Sequence, residues 1–257
     1  MNNSVTQFAR RTLRSFRKRI IPSKGIMGSR RKMPDVADAD FEIMRQVEPY
    51  TMIGADRLQA LIEAVRYVEK AQLPGAMVEC GVWRGGATMA AMIVMLQLGR
   101  TNRDFYLYDT FEGMSTPTVH DRRIDGRHAM PEFHARRTGG DSADWCRADL
   151  EAVRGAVLST GYPVERIHFV KGKVEDTIPA TMPQEIALLR LDTDWYESTR
   201  HEMIHLFPRL APRGVLILDD YGHWQGARQA VDEYLEAHQI ALLLTRTDYT
   251  GRMGVKI

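Results

Sequence analysis

The sequence predicts an α/β fold in which a largely parallel β-sheet carries helices on both faces. From about residue 50 onward, short apolar runs of strand length alternate with segments of helical periodicity. Near the C-terminus, two strand-like segments follow one another without a helix between them, which predicts one antiparallel strand. A chain of 257 residues is long enough for one large domain with a substantial core.

The predicted elements follow in a regular order. The first helix of the domain is predicted where apolar residues recur at helical spacing, at Leu58, Leu61, Ile62, Val65 and Val68. Further helices are predicted over residues 87–98, 144–159, 196–207 and 225–237. Strands are predicted at AMVEC (76–80), DFYLYD (104–109), RIHFVKG (166–172), IALLRLD (186–192) and GVLILDD (214–220). The tail, 241–257, is predicted to form two strands joined by a turn at 249–252.

Charge is distributed unevenly along the chain. Residues 1–32 contain ten Lys and Arg residues and no Asp or Glu, whereas the remainder contains 25 basic and 33 acidic residues. We therefore expect residues 1–49 to form a basic N-terminal arm or helical lid, separate from a domain over residues 50–257. A rough apolar stripe in this arm could contact an anionic membrane surface or another subunit, although a mobile arm or an ordinary capping helix is the alternative.

The cysteine content and the length of the apolar runs argue against several classes of protein. Cys80 and Cys146 cannot form a disulfide framework and lack the spacing of a zinc site, which fits a cytoplasmic location. No apolar run approaches the roughly 18–20 residues that span a membrane, and the N-terminus has no apolar signal-peptide core. We expect no transmembrane segment and no nucleic-acid partner.

A glycine-rich turn follows the first predicted strand in the sequence MVECGVWRGGATMAA. Glu79 ends the strand, and Gly81, Gly85 and Gly86 precede a helix. Glycines there let a ligand approach the backbone, and a helix N-terminus favours anionic groups. The spacing differs from GxGxxG and suits a nucleoside-type cofactor without a pyrophosphate. A tight structural turn would use the same residues.

Asp109 ends the second predicted strand. An acidic residue at this place in an α/β sheet can accept hydrogen bonds from both hydroxyls of a cofactor ribose. A helix N-cap or a surface aspartate is the alternative.

Two pairs of carboxylates end the fourth and fifth predicted strands. Asp192 and Asp194 follow IALLRL, and Asp219 and Asp220 follow GVLIL. If the two strands are neighbours, about 4.8 Å apart, these carboxylates converge and repel one another. A bound hard cation such as Mg²⁺ would resolve that repulsion. Caps and loop hydrogen bonds remain the alternative for each aspartate.

Several histidines lie in loop-like stretches near the predicted strand ends. His134 and His223 are the better candidates for a general base, and Asp192 is a third. His134 belongs to residues 111–143, a long polar segment with little periodicity. Loops of that length are often lids, and this one is placed to cover a cofactor and shape a substrate pocket.

Four motifs resemble those of the macrocin and mycinamicin sugar O-methyltransferases. They are ECGVWRGG, YDTFEGM, LLRLDTDWYESTRHEM and GVLILDDYGHWQGARQAVDEY, and the likeness extends from about residue 50 to residue 234. The resemblance implies the Rossmann-like class I methyltransferase fold, a three-layer sandwich with a seven-stranded, mostly parallel sheet and a C-terminal antiparallel hairpin. It implies S-adenosylmethionine as the methyl donor, Mg²⁺ dependence, a sugar hydroxyl of a glycosylated natural product or glycan as the acceptor, and a homo-oligomer.

The resemblance also implies roles for individual residues. It places Asp192, Asp219 and Asp220 as metal ligands, with Asp194 in a structural or supporting role. The implied cofactor contacts are Thr51, Met52, Glu79, Gly81, Trp83, Gly85, Asp109 and Asp176. The lid departs from the macrolide enzymes, because His134 and the two arginines are separated by an inserted alanine, Ala135. Both the base and the acceptor therefore stay open.

Three other interpretations compete with this one. A catechol-type O-methyltransferase would use the same carboxylates on a flat aromatic acceptor. A glycosyltransferase would use Asp192-Thr193-Asp194 as a DxD metal motif, but the glycine turn and Asp109 favour a methyl-donor site. A non-catalytic cofactor-binding module is the third, and the carboxylates at both strand ends count against it.

Overall fold

The computed structural model describes Ile26 and residues 33–257. Within this part of the chain, helices lie on both faces of one seven-stranded sheet. The helices are α1 (Asp38–Val47), α2 (Ala55–Lys70), α3 (Gly86–Gln97), α4 (Met130–Arg136), α5 (Leu150–Leu158), α6 (Val174–Thr177), α7 (Tyr196–His205) and α8 (Gln225–Ala237). The sheet strands are β1 (Ala76–Cys80), β2 (Phe105–Asp109), β5 (Ile167–Lys171), β6 (Ile186–Leu191), β7 (Leu210–Leu218), β8 (Thr245–Arg246) and β9 (Arg252–Val255). A separate small hairpin consists of β3 (Arg137–Gly139) and β4 (Ser142–Ala143).

The strands of the main sheet lie in the order β5-β2-β1-β6-β7-β9-β8. Only β9 runs against its neighbours, pairing antiparallel with both β7 and β8. The predicted α/β fold, with its mostly parallel sheet and C-terminal antiparallel hairpin, is confirmed. Strand order reverses between β1 and β6, and ligands bind at the carboxyl ends of strands beside such a point. Because β6 and β7 are paired, with Leu191 opposite Leu218, their terminal aspartates belong to one edge of the sheet.

Alternation along the strands creates a core on each face of the sheet. Met77, Leu188 and Ile217 pack with helices α1, α2, α3 and α5 on one face. Val78, Leu189 and Leu216 face the other way and pack with α7 and α8. Side chains two residues apart share a face, so each buried strand contributes to both layers.

The predicted N-terminal arm, residues 1–49, is only partly described. Its basic part, residues 1–32, lies outside the described residues except for Ile26, and so does the predicted membrane contact. Its last part is α1, whose Phe41, Ile43 and Met44 are buried in the core beside α2 and α3. Residues 38–47 therefore belong structurally to the same core as the domain that follows. Among the described residues, no helix is both long and apolar enough to cross a membrane.

The predicted lid, residues 111–143, is anchored to the body. Asp121 is fully buried and accepts hydrogen bonds from the Thr118 N–H at 2.6 Å and the Tyr196 N–H at 2.8 Å. The second bond satisfies a free N–H in the first turn of α7. Gly226 allows this approach, because a Cβ there would lie 2.4 Å from a carboxylate oxygen of Asp121. The first half of the segment thus forms a fixed wall.

Candidate active site

A cavity of about 340 Å³ opens at the carboxyl ends of β1, β2, β6 and β7. Its wall includes residues 50–53, 81–83, 108–110, 113–115, 172–175, 192–194 and 219–220. The predicted glycine turn, the predicted ribose ligand and both carboxylate pairs therefore meet around one space. Of the predicted cofactor contacts, Thr51, Met52, Gly81, Trp83 and Asp109 line this cavity. Glu79, Gly85 and Asp176 do not reach its wall.

The glycines of the turn are required by the backbone itself. Gly81 has φ +84°, and a Cβ there would lie 2.0 Å from the Asp192 carbonyl oxygen. Gly85 is the N-cap of α3 with φ +87°, a left-handed conformation that glycine adopts without strain. A Cβ on Gly86 would lie 2.6 Å from the Tyr50 carbonyl oxygen, so this glycine lets residues 50–53 close over the cavity. These contacts support the structural explanation for the glycines, and their cofactor role stays a prediction.

Asp109 connects the end of β2 to the glycine turn. The N–H groups of Val82 and Trp83 donate to its Oδ2 at 2.8 and 2.9 Å, and the Phe111 N–H donates to Oδ1 at 2.7 Å. Burial raises the pKa of Asp109, although these backbone donors favour its charged form. The residue holds the turn in place while it lines the cavity.

Three carboxylates converge at the floor of the cavity. One oxygen from each of Asp192, Asp194 and Asp220 lies within 4.8 Å of the other two. The Oδ2 atom of Asp220 is buried and has no hydrogen-bond partner among the described residues. Asp194 has φ +68°, an uncommon backbone conformation that persists only where the surroundings enforce it. The turn after β6 thus presents both of its aspartates to the same space.

Asp219 lies beside Asp192, and its carboxylate is engaged in ion pairs with two arginines. Arg190 Nη2 lies 2.7 Å from Asp219 Oδ1 and also 2.7 Å from Asp192 Oδ2. Arg57 donates to the second oxygen of Asp219. The other side of the Arg190 guanidinium pairs with Glu79, which also accepts from Thr88. Glu79 therefore acts on the site through Arg190, and both Asp219 oxygens are committed to arginines.

The four aspartates differ in the direction of their pKa shifts. Burial acts to raise the pKa of Asp219, but Arg190 and Arg57 more than offset it and hold that pKa below its ordinary value. Burial raises the pKa of Asp192 well above its ordinary value, and Arg190 offsets only part of the shift. Burial, with the charges of its neighbours, does the same to Asp220. Asp194 rises to a pKa of about 7, mainly through burial. Buried carboxylates with a raised pKa, such as Asp192, Asp194 and Asp220, bind either protons or a cation.

Of the two candidate histidines, only His223 lies at the cavity. It is half-buried, its Nδ1 lies 3.3 Å from the Tyr249 hydroxyl, and its backbone N–H donates to the Asp220 carbonyl. Burial lowers the pKa of His223, and the charge of Arg123 lowers it further, so the imidazole is neutral at physiological pH. His134 is exposed on α4 and is not part of the cavity wall.

Three tryptophans pack together beside the turns that carry the floor aspartates. Trp195 and Trp224 are buried with ring centroids 4.9 Å apart at an interplanar angle of 78°, and Trp145 packs on both. The indole N–H of Trp195 donates to the Ser115 carbonyl at 3.0 Å, which attaches the lid segment to the turn that carries the aspartates. This apolar cluster packs beside the turns that carry the floor aspartates and joins them to the lid segment.

Sequence reasoning missed the arginines of the site. Arg190 is the single charged residue in the strand IALLRL, and a charge inside a buried apolar run needs a partner. That signal was present in the sequence. Arg57 carried no such signal, because it lies on an amphipathic helix where an arginine is ordinary.

Comparisons with known proteins identify the family of this chain. The family model for macrocin O-methyltransferase (TylF) matches residues 44–254. A rhamnosyl-tetracenomycin 4'-O-methyltransferase of Streptomyces olivaceus is 32% identical over 217 residues, covering 83% of this chain and 79% of that protein. Mycinamicin III 3''-O-methyltransferase of Micromonospora griseorubida is 30% identical over 202 residues, covering 79% and 76%.

A solved structure extends the likeness to three dimensions. The O-methyltransferase NovP superimposes with a TM-score of 0.71 at 29% identity, over 80% of this chain and 82% of that one. Family membership establishes the reaction class, with S-adenosylmethionine as the methyl donor. The chain belongs to the macrocin O-methyltransferase family and is an S-adenosylmethionine-dependent O-methyltransferase.

Proposed function

We propose that this enzyme methylates a sugar hydroxyl of a glycosylated natural product or glycan, with Mg²⁺ held by the carboxylates on the cavity floor. The observation that carries the proposal is the convergence of Asp192, Asp194 and Asp220 beside the half-buried His223. The relatives named above support the acceptor class, since they act on a rhamnosyl tetracenomycin and on mycinamicin III.

The carboxylates fit a hard divalent cation. All the donors are oxygens, which Mg²⁺ prefers, and the buried Asp220 Oδ2 has no partner within the part of the chain that the structure describes. Asp192 and Asp220 would hold the ion, with Asp194 as the third ligand in this arrangement. Asp219, the third ligand implied by the family resemblance, would join them only by giving up Arg190 or Arg57. When bound, the ion lowers the pKa of a coordinated hydroxyl and orients it.

The remaining tasks belong to the protein. His223 is placed to accept the proton of the acceptor hydroxyl, because its imidazole is neutral and lies on the cavity wall. The Tyr249 hydroxyl at Nδ1 leaves Nε2 as the ring nitrogen for this role. Asp192 is the alternative acceptor of the proton.

The donor would lie in the part of the cavity that is lined by Gly81, Trp83 and Asp109, together with Thr51 and Met52. S-adenosylmethionine supplies the methyl group. Orienting donor and acceptor in one enclosed space can lower the barrier by roughly 7–11 kcal/mol.

The test is methyl transfer from labelled S-adenosylmethionine to matched acceptors. Rhamnosides and other deoxysugar glycosides are compared with catechol and caffeate, each with Mg²⁺ and with EDTA. We expect methyl transfer to a glycoside in the presence of Mg²⁺, and we expect EDTA to abolish that transfer. Transfer to catechols alone, or undiminished transfer in EDTA, would overturn it. Metal-dependent hydrolysis of UDP-glucose would favour the glycosyltransferase alternative.

A further inference from the structure

Two histidines lie one turn apart toward the C-terminal end of α7. His201 and His205 begin and end the sequence HEMIH, so both project from the same face of the helix. Their ring centroids lie 4.4 Å apart, with an interplanar angle of 47°. Neither residue belongs to the wall of the cavity described above. We call these two residues the histidine pair.

The separation of the two rings suits one metal ion between them. Imidazole nitrogens bind Zn²⁺ at about 2.0–2.1 Å, so two such ligands on one tetrahedral ion lie roughly 3.4 Å apart. Rings whose centroids are 4.4 Å apart can each bring one nitrogen to that distance. Histidines at positions i and i+4 of a helix are a recurrent way of holding zinc. The histidine pair therefore has the spacing of a two-ligand metal site.

The hydrogen bond made by His201 leaves one of its nitrogens ready for a metal. Nε2 of His201 lies 2.9 Å from the Ile178 carbonyl oxygen. A carbonyl oxygen only accepts, so Nε2 carries the proton and Nδ1 keeps its lone pair. Histidines that bind metals almost always donate their other N–H to a carbonyl, a carboxylate or water in this way. His201 thus has the tautomer and the fixed orientation of a metal ligand.

His205 offers a second available imidazole. Burial lowers the pKa of His205, and the neighbouring His201 lowers it further, so the ring is neutral at physiological pH. Among the described residues, its ring nitrogens have no hydrogen-bond partner. The side chain borders an open groove of about 820 Å³, whose wall also includes Met182 and Glu185. Water can therefore reach the coordination positions that the two imidazoles leave open.

We infer that His201 and His205 form a binding site for a transition-metal ion that prefers imidazole ligands, such as Zn²⁺ or Cu²⁺. The site is distinct from the carboxylates of the cavity floor, whose oxygens suit Mg²⁺. Glu202, which lies between the two histidines in sequence, is fully buried and its Oε2 accepts from Thr193 Oγ1. Glu202 is therefore not available as the general base of a hydrolytic zinc site. The histidine pair binds an ion without hydrolytic chemistry.

A bound ion would stabilise the helix that supports the cavity floor. The ion would join two successive turns of α7, and the bond between Glu202 and Thr193 connects the same helix to the turn that carries Asp192 and Asp194. An ion that binds the folded chain and not the unfolded chain raises the temperature of unfolding. Stabilisation by Zn²⁺ that requires both histidines is therefore expected, and it does not depend on the proposed acceptor.

The test is titration of the full-length protein with Cu²⁺, followed by electron paramagnetic resonance. The protein carries no polyhistidine tag, and excess Mg²⁺ is present to occupy the carboxylates of the floor. We expect one ion with two nitrogen ligands in the wild type. His201→Gln and His205→Gln should each weaken its binding by about tenfold or more. In thermal unfolding, Zn²⁺ should raise the melting temperature of the wild type more than that of either variant.

His238→Gln is the matched control. His238 lies just after α8 and its Nδ1 also donates to a carbonyl, that of Tyr234 at 2.9 Å, but no histidine lies four residues away from it. This variant should bind Cu²⁺ as tightly as the wild type, and unchanged melting temperatures without metal show that all the variants are folded. The inference is overturned if the wild type gives no two-nitrogen signal, or if His201→Gln and His205→Gln bind as tightly as the wild type. A one-nitrogen signal that persists in both variants would place the ion at His223 instead.

Discussion

The backbone of Gly81 lies directly against that of Asp192, so that a Cβ on Gly81 would stand 2.0 Å from the Asp192 carbonyl oxygen. The Asp192 N–H donates to the Cys80 carbonyl at 2.8 Å, which joins the end of β1 to the turn after β6. The first segment carries the predicted donor contacts, and the second carries two of the floor carboxylates. One close backbone approach therefore sets the distance between the two halves of the site.

Gly81→Ala should disrupt both halves at once. The added methyl group meets backbone atoms that cannot rotate away, and φ +84° is unfavourable for alanine. We expect a loss of more than about 2 kcal/mol in the free energy of unfolding, together with weakened S-adenosylhomocysteine binding. Urea denaturation and calorimetry measure the two effects. Gly155→Ala on α5 is the matched control, because a Cβ there meets nothing within 4 Å. Equal stability of the two variants would show that the approach is not as close as described.

Arg190 should be far more important for stability than a surface arginine. Arg190→Met leaves Glu79 and Asp219 buried, with Glu79 lacking its cation and Asp219 retaining only Arg57. Breaking a buried pair in this way costs about 3–5 kcal/mol. Arg228→Met breaks the exposed pair with Asp232 and should cost less than about 1 kcal/mol. Denaturation curves of the two variants compare them, and similar losses would contradict the buried network.

Glu202 should make the stability depend on pH. It is fully buried on α7, Thr193 Oγ1 donates to its Oε2 at 3.2 Å, and Oε1 has no hydrogen-bond partner in residues 33–257 or Ile26. Burial raises the pKa of Glu202 well above its ordinary 4.5, so the folded protein keeps a proton that the unfolded chain releases. The contribution of Glu202 to the free energy of unfolding is therefore fully present below pH 4.5. Above that pH it falls, by up to about 1.4 kcal/mol per pH unit, until the pH reaches the pKa of Glu202 in the folded protein.

Glu202→Gln isolates this contribution, because glutamine keeps the size of the side chain and does not titrate. The difference in unfolding free energy between wild type and variant should shift in favour of the variant as pH rises from 5 toward 8. All other titrating groups are shared and cancel in the difference. Parallel stability curves over this range would mean that Glu202 is charged in the folded protein.

His223 and His134 should differ sharply in their effect on turnover. If His223 accepts the proton, His223→Gln should reduce kcat by roughly 10²–10⁴-fold with little change in S-adenosylhomocysteine affinity. His134→Gln should leave kcat within about twofold, because that side chain is exposed and away from the cavity wall. Steady-state kinetics with the glycoside identified in the acceptor screen measures both. The opposite ranking would mean that α4 moves into the site during turnover.

The sheet and the edge that carries the site could be predicted from the sequence. Apolar runs ending in acidic residues specify strands whose carboxyl ends meet, and the pairing of β6 with β7 brings Asp192 and Asp220 together. That prediction needed only the length of the runs and the position of the charges.

The detailed roles of the aspartates could not be predicted in this way. The positive φ of Asp194 turns it toward Asp220, and the sequence does not encode that angle in any local pattern. Asp219 is engaged by Arg57, which lies 162 positions away in the chain. The placement of His134 depends on how the lid packs on α7 and α8, a long-range outcome of Asp121 and Gly226.

Divalent-cation binding shows directly whether the carboxylates on the cavity floor hold a metal ion. Mn²⁺, followed by electron paramagnetic resonance, is titrated into the wild type, Asp220→Asn and the exposed control Asp232→Asn. We expect one bound ion in the wild type and the control. We expect affinity weakened by about tenfold or more in Asp220→Asn, which loses a charged ligand whose Oδ2 has no other partner among the described residues. A wild type that binds no ion, or an Asp220→Asn variant that binds as tightly as the wild type, would contradict the proposed metal site.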